Sequence, residues 1–217
     1  MLGNGVALNN YHNHFMLEAI SLQCIRGERE LFHDLSFALG SGEMLLVSGP
    51  NGSGKTSLLR LLCGLSQPAS GEIRWQGEAV RAQRGDYCRH MTYLGHHNGV
   101  KEELTPLENL RVATAVAAVD AGEDKMLAAL DRVGLAGYEE LPAKLLSQGQ
   151  KRRVALARLL LADARMWILD EPLAALDVQA VALVEEMLAA HLAEGGLAVL
   201  TTHQPLNISV NVEIRVG

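Results

Sequence analysis

The sequence predicts an α/β core interrupted by a helical lobe. Three observations carry that expectation. Two short apolar runs, Met44–Val47 and Met166–Leu169, read as strands buried on both faces. A glycine-rich stretch at 49–54 joins the first run to a helical pattern through Leu58, Leu59 and Leu62. Residues 105–162 then change character and carry helix-start signals instead of strand alternation.

The elements follow in order. Residues 1–15 are polar and irregular and are expected to form a flexible tail. From Met16 the pattern is extended: Ile20, Leu22 and Cys24 alternate, and so do Leu35, Phe37 and Leu39. Gly40-Ser41-Gly42 reads as the turn before Met44–Val47, and Gly64 as a cap on the helix through Leu62. Residues 71–80 read as a small hairpin turning at Gln76-Gly77, and Met91–Leu94 as another short strand. Thr105-Pro106-Leu107-Glu108 is a capping box with proline at the first helical position. Ser147-Gln148-Gly149-Gln150 is a second capping box, and residues 122–133 suit a helix ending at Gly134. After Met166–Leu169, a helix is expected from Val178 to Glu194, with Asp177 as its N-cap and Gly195-Gly196 as its stop. Leu197–Thr202 is the last expected strand. Residues 1–217 are read as a single domain, with a helical lobe at about 85–162 inserted in the core.

Composition narrows the function. Of 217 residues, 48% are hydrophobic and 20% charged, the profile of a chain that buries a core. A net charge of -6 argues against nucleic acid as a partner. No run supplies about 20 consecutive apolar residues, so no membrane-spanning helix is expected. The N-terminus shows no basic segment followed by an apolar one, so no secretory signal is expected. Cys24, Cys63 and Cys88 are odd in number and widely spaced, which fits neither a disulfide framework nor a zinc site.

Chemistry concentrates in four places. Gly49-Pro50-Asn51-Gly52-Ser53-Gly54-Lys55-Thr56 matches G-x-x-x-x-G-K-[ST], with Ser57 next in line. The glycines let backbone amides converge on phosphate oxygens at a helix start, Lys55 supplies charge for the β and γ phosphates, and the Thr56 hydroxyl reaches Mg²⁺. Met166–Leu169 runs into Asp170 and Glu171. Asp170 is placed to complete the Mg²⁺ environment, and Glu171 to polarise a water against the γ-phosphate. His203 ends the last strand, on the side where α/β folds hold ligands, and is placed to hydrogen-bond the γ-phosphate. The helix start at 147–150 offers a second anion site, with Ser147 giving a hydroxyl and Gly149 allowing close approach. One chain already has its own phosphate loop, so this second site suits the γ-phosphate of ATP held by another copy.

These motifs, in this order, resemble the ABC transporter ATP-binding subunits. LSQGQ at 146–150 resembles the signature LSGGQ, with Gln148 in place of a glycine, and WILDEP at 167–172 resembles the Walker B strand. AALD at 174–177 resembles the D-loop, which brings in Asp177, and His203 matches the switch histidine. The resemblance implies a P-loop NTPase core of the ABC ATPase type, with an N-terminal antiparallel β part and an inserted α-helical lobe. It also implies ATP and Mg²⁺ as cofactors and a head-to-tail pair with a second ATP-binding subunit, a homodimer. In that pair Ser147, Gly149 and Gln150 face the other chain's phosphate loop. Integral membrane transporter subunits are implied as partners, which places the chain at the cytoplasmic side of the bacterial inner membrane. Within the family, GKTSLLRLLCGL at 54–65, YLGHHNGVKEELTPLENL at 93–110 and the Trp in WILDEP are most similar to subunits of haem exporters in cytochrome c maturation.

Two positions depart from the family pattern. His96, with His97 beside it, stands where a Mg²⁺-contacting Gln is usual. Arg26 stands where an aromatic often stacks on adenine; a guanidinium can also stack on a base, and a solvated surface arginine is an equal reading. A soluble ABC ATPase of DNA repair or translation would need long insertions or two ATPase units. A P-loop kinase or small GTPase would leave 147–150, 174–177 and His203 without purpose.

Overall fold

The computed structural model describes residues 15–217. The expected tail, with His12 and His14, lies outside the described residues except for Phe15, which opens the first strand. The elements are β1 (Phe15–Arg26), β2 (Arg29–Gly40), β3 (Met44–Ser48), α1 (Lys55–Leu62), β4 (Ser70–Trp75), β5 (Glu78–Ala79), α2 (Arg84–Tyr87), β6 (Met91–Leu94), α3 (Pro106–Val116), α4 (Glu123–Arg132), α5 (Gln148–Leu161), β7 (Met166–Asp170), α6 (Val178–Ala193), β8 (Leu197–Thr201) and β9 (Val212–Arg215).

Two sheets form. An antiparallel sheet runs β2-β1-β4-β5, and a parallel sheet runs β6-β7-β8-β3-β9. The parallel strands explain the continuous apolar runs. In β7, Met166 and Ile168 enter one core while Trp167 and Leu169 enter the other. In β8, Leu197 and Val199 face the first and Ala198 and Leu200 the second. The first core packs α1, through Leu58, Leu59 and Leu62, against both sheets. The second lies between the other face of the parallel sheet and α3, α4, α5 and α6. The stretch 85–162, read as a helical lobe, also holds β6, which pairs with β7; its long helices occupy 106–161.

Sequence alternation is misleading in β1. The core positions are Leu17, Ala19, Leu22 and Cys24, and Ile20 is only half-buried. Ser21 has φ 44°, and the strand register shifts between Ala19 and Leu22. The bulge inserts one residue and flips which side chains face the core. Asp34 on β2 has φ 47° and accepts the Ser21 hydroxyl at 2.8 Å, so the two irregularities lock together.

A strand not anticipated from the sequence, β9, closes the parallel sheet beside β3. Its signal is present: Val210, Val212, Ile214 and Val216 alternate with polar residues. The Val216 amide donates to Ser48 O at 2.9 Å, which brings the chain end against the start of the phosphate loop.

The caps form as the spacing predicts. Thr105 and Glu108 make a reciprocal box at α3, Ser147 and Gln150 make another at α5, and Asp177 accepts the Ala180 amide at α6. Near the other end of α6, His191 stacks on Trp167 with ring centroids 4.0 Å apart, and its Nε2 lies 3.1 Å from Leu197 O. Burial holds the His191 pKa below the usual histidine range. As pH falls below about 6.5, the unfolded chain takes up this proton before the folded one, so stability drops on acidification. Urea unfolding midpoints are therefore expected to fall from about pH 7 to about pH 5, and to fall less steeply in His191→Phe. Equal slopes would show that His191 does not contribute to the pH dependence.

Candidate active site

The carboxyl ends of β3, β7 and β8 meet on one side of the parallel sheet, and a cavity of about 780 Å³ opens there. Its wall includes Asn51, Gly52, Gly54, Lys55, Thr56 and Ser57 from the loop and the start of α1. Asp170 and Glu171 line it from the end of β7, His203 from just beyond β8, and His96 from the loop after β6. Arg26, Arg29 and Leu31 from the antiparallel sheet and Ala174 complete the lining. Gly49, Pro50 and Ser53 belong to the same loop but do not face the cavity.

The loop's shape follows from its glycines. Gly49 has φ 139°, and a Cβ there would sit 2.2 Å from Val216 O, so the passage of the C-terminal strand demands glycine. Gly54 in the left-handed region starts α1. Lys55 is buried, and its ammonium donates to Gly49 O at 2.7 Å and Pro50 O at 3.2 Å. The charge is thus held against the loop backbone beside the cavity.

The acidic pair is built by a third residue, Thr201. Its hydroxyl donates to Asp170 Oδ1 at 2.8 Å and accepts the Glu171 amide at 2.9 Å. The other Asp170 oxygen, Oδ2, accepts the Thr56 hydroxyl at 2.8 Å. Glu171 holds φ 50°, a left-handed conformation that costs a non-glycine residue roughly 1–3 kcal/mol and recurs at functional sites. His203 Nε2 stands 3.5 Å from Glu171 Oε1, outside hydrogen-bond geometry, and that buried oxygen has no hydrogen-bond partner among the described residues. A buried carboxylate oxygen left unpaired at the mouth of a phosphate loop is suited to holding a water.

The remaining sequence-predicted residues lie apart from this cavity. Ser147 is exposed at the start of α5 with its hydroxyl committed to the Gln150 amide at 3.1 Å, and the Gln150 side chain accepts the Ser147 amide at 2.9 Å. Gly149 packs on the chain that follows β7: a Cβ there would come within 2.9 Å of Ala175 O. Asp177 is exposed, and its carboxyl is held below the usual range by the Ala180 amide and by the Arg153 guanidinium at 2.6 Å. None of these four residues lines the cavity of its own chain.

Sequence reasoning passed over four residues at or beside the site. Thr201 was legible as a polar residue closing an apolar strand. Arg29 and Leu31 carried no motif. Arg152, inside α5, is 3% exposed, and burial draws its pKa down to about 10, which leaves it charged at neutral pH.

Comparison with known proteins shows the family. The family model "ABC transporter" matches residues 32–174. The Cytochrome c biogenesis ATP-binding export protein CcmA of Nitrosospira multiformis is 58% identical over 89% of this chain and 94% of its own length. The protein of the same name from Dechloromonas aromatica is 54% identical over 93% of this chain and 100% of its own. Among solved structures, the dimeric post-hydrolysis state of the ATP-binding cassette MJ0796 bound to ADP and Pi shares the fold, with a TM-score of 0.74. It is 22% identical and covers 87% of this chain and 88% of its own. The chain belongs to the ABC transporter family, as a nucleotide-binding ATPase similar to the cytochrome c biogenesis ATP-binding export proteins.

Proposed function

We propose that this chain hydrolyses MgATP to power an exporter of c-type cytochrome biogenesis that handles haem. The observation that carries the reading is the meeting of Lys55, Thr56, Asp170, Glu171 and His203 around one cavity, in a chain 58% identical to a relative named for cytochrome c biogenesis.

Mg²⁺ fits the residues present. The Thr56 hydroxyl and the Asp170 carboxylate already converge within 2.8 Å of each other, and both are hard oxygen donors. A set of two protein oxygens suits an ion that keeps waters and binds substrate phosphates. When bound, Mg²⁺ neutralises charge developing on the phosphate oxygens. The protein's part is then positioning. Lys55 and the loop amides take the β and γ phosphates. Thr201 fixes the Asp170 carboxylate and the Glu171 main chain. Glu171 Oε1 accepts a hydrogen bond from the attacking water, and His203 orients that water against the γ-phosphate. Arg26, Arg29 and Leu31 stand at the antiparallel-sheet side of the cavity, where they face the nucleoside.

Ser147, Gly149, Gln150 and Asp177 act in the site of a second copy, giving a homodimer with two shared sites. No helix among the described residues is long and apolar enough to cross a membrane. The membrane steps fall to integral membrane subunits, and the chain works at the cytoplasmic face of the inner membrane through them. His96 stands at the cavity, in the loop after β6.

Replacement of the host's own copy by Lys55→Ala tests the substrate. Haem-stained c-type cytochromes are expected to be lost from membranes while b-type haem signals persist. Normal c-type cytochromes in that strain would show that the ATPase serves another cargo.

A further inference from the structure

Arg152 has no role in the motifs, yet it is the most fully engaged buried side chain near the site. It lies one turn into α5, the helix that Ser147 opens. A guanidinium carries five N–H donors, and here all five are used. Nε donates to Pro172 O at 3.2 Å. Nη2 donates to Asp170 O at 3.0 Å and Glu171 O at 2.6 Å. Nη1 donates to Gly95 O at 3.1 Å and Asn98 Oδ1 at 3.0 Å. Every acceptor is an uncharged oxygen, so burial of the cation is compensated by shape-matched hydrogen bonds and not by a formed ion pair.

The acceptors fall on two segments. One carries Asp170 and the left-handed Glu171; the other flanks His96 and His97. Arg158, further along the same helix, takes the Asn98 carbonyl at 2.6 Å, so Asn98 is gripped through both its side chain and its main chain. Helix α5 therefore holds the loop after β6 and the end of β7 in one fixed relation.

We propose that Arg152 is a positioning residue for ATP hydrolysis, tying the Glu171 main chain and the Gly95–Asn98 loop to α5 so that the seating of this helix sets the alignment of the Glu171 carboxylate. The proposal rests on the reading of Glu171 given above. It gives α5 two duties at once: its start meets the partner's nucleotide, and its second turn aligns the acid in its own chain. Docking of a partner at Ser147, or movement of the loop beside His96, thereby reaches Glu171 through a single side chain.

The test uses the full-length chain carrying Arg152→Gln, Arg152→Lys or Asn98→Ala, with Glu171→Gln as control. ATP affinity, kcat, KM and melting temperature are measured for each. Arg152→Gln is expected to lower kcat about 10²-fold, the scale of a misplaced catalytic group, with ATP affinity within about threefold of the parent. Arg152→Lys restores part of kcat, because an ammonium keeps the charge but reaches fewer of the five acceptors. Asn98→Ala falls between the parent and Arg152→Gln, and the double variant is no slower than Arg152→Gln alone, since both cut the same link. Amide exchange rises at 95–98 and 171–173 without a matching rise elsewhere. Parent kcat in folded Arg152→Gln, with only melting temperature lowered, reduces Arg152 to a stability role and overturns the proposal. If Arg152→Gln does not fold, parent kcat in both Arg152→Lys and Asn98→Ala overturns it. A Glu171→Gln chain that hydrolyses ATP at the parent rate removes the reading of Glu171 and this proposal together, whereas a slow Glu171→Gln beside parent-rate Arg152 variants removes the proposal alone.

Discussion

Glu171→Gln is expected to slow ATP hydrolysis by roughly 10²–10⁴ while leaving ATP binding intact. The geometry sets both halves of that expectation. Glu171 Oε1 is buried at the cavity with no hydrogen-bond partner among the described residues, so its role awaits a water or substrate group. The groups proposed to hold the phosphates and Mg²⁺ are separate from it: Lys55 is anchored by Gly49 O and Pro50 O, and Asp170 is fixed by Thr56 and Thr201. The amide of Gln fills the same volume and keeps the main-chain N–H donated to Thr201, but it cannot accept a proton from water at neutral pH. A coupled phosphate-release assay gives the rate, and fluorescent nucleotide titration gives the affinity. A rate equal to the parent's would remove Glu171 from the chemistry and leave His203 as the group to examine.

Much of this site was legible because its signals are local. The phosphate loop, the acidic end of β7 and the three caps at Thr105, Ser147 and Asp177 depend on residues within a few positions of one another, and spacing alone sets their chemistry. What was hidden depends on distant partners. Arg152 sits in Lys151-Arg152-Arg153, which reads as a solvated basic run; its acceptors are mostly main-chain carbonyls 18 to 57 residues away, and carbonyls carry no sequence signature. The alternation of Ile20, Leu22 and Cys24 marks a strand but not its core face, because one bulge at Ser21 inverts it. The β9 alternation was present, but its pairing with β3 joins segments more than 160 residues apart, with register Leu45 to Val212. Gly149 was read as a close approach to a ligand, and in the fold it also permits a close approach to Ala175 O.

Ser147→Arg is expected to leave nucleotide binding by a single chain nearly intact and to lower turnover by at least about 10², the loss typical of removing a preorganised anion-binding contact. Ser147 does not line the cavity of its own chain, so a long cation there does not obstruct the phosphate loop beside Lys55. It is exposed at the start of α5, where a partner's γ-phosphate is proposed to dock. Mixing gives a sharper result than either variant alone. A Lys55→Ala chain lends its intact Ser147 to the phosphate loop of a Ser147→Arg chain, so each mixed pair has one working site. Random pairing of equal amounts then recovers about a quarter of the parent rate, because half the pairs are mixed and each has one site of two. Mixed pairs that form and stay inactive would place Ser147 outside a shared site.

The central claim is that two copies of this chain close around ATP, and the mass of Glu171→Gln in solution tests it most directly. Sedimentation velocity is run with no nucleotide, with MgADP and with saturating MgATP, and bound nucleotide is quantified in each sample. The expected result is a species of 23.4 kDa without nucleotide or with ADP, and one of twice that mass with MgATP. Chains loaded with ATP that remain at the single-chain mass would contradict the account.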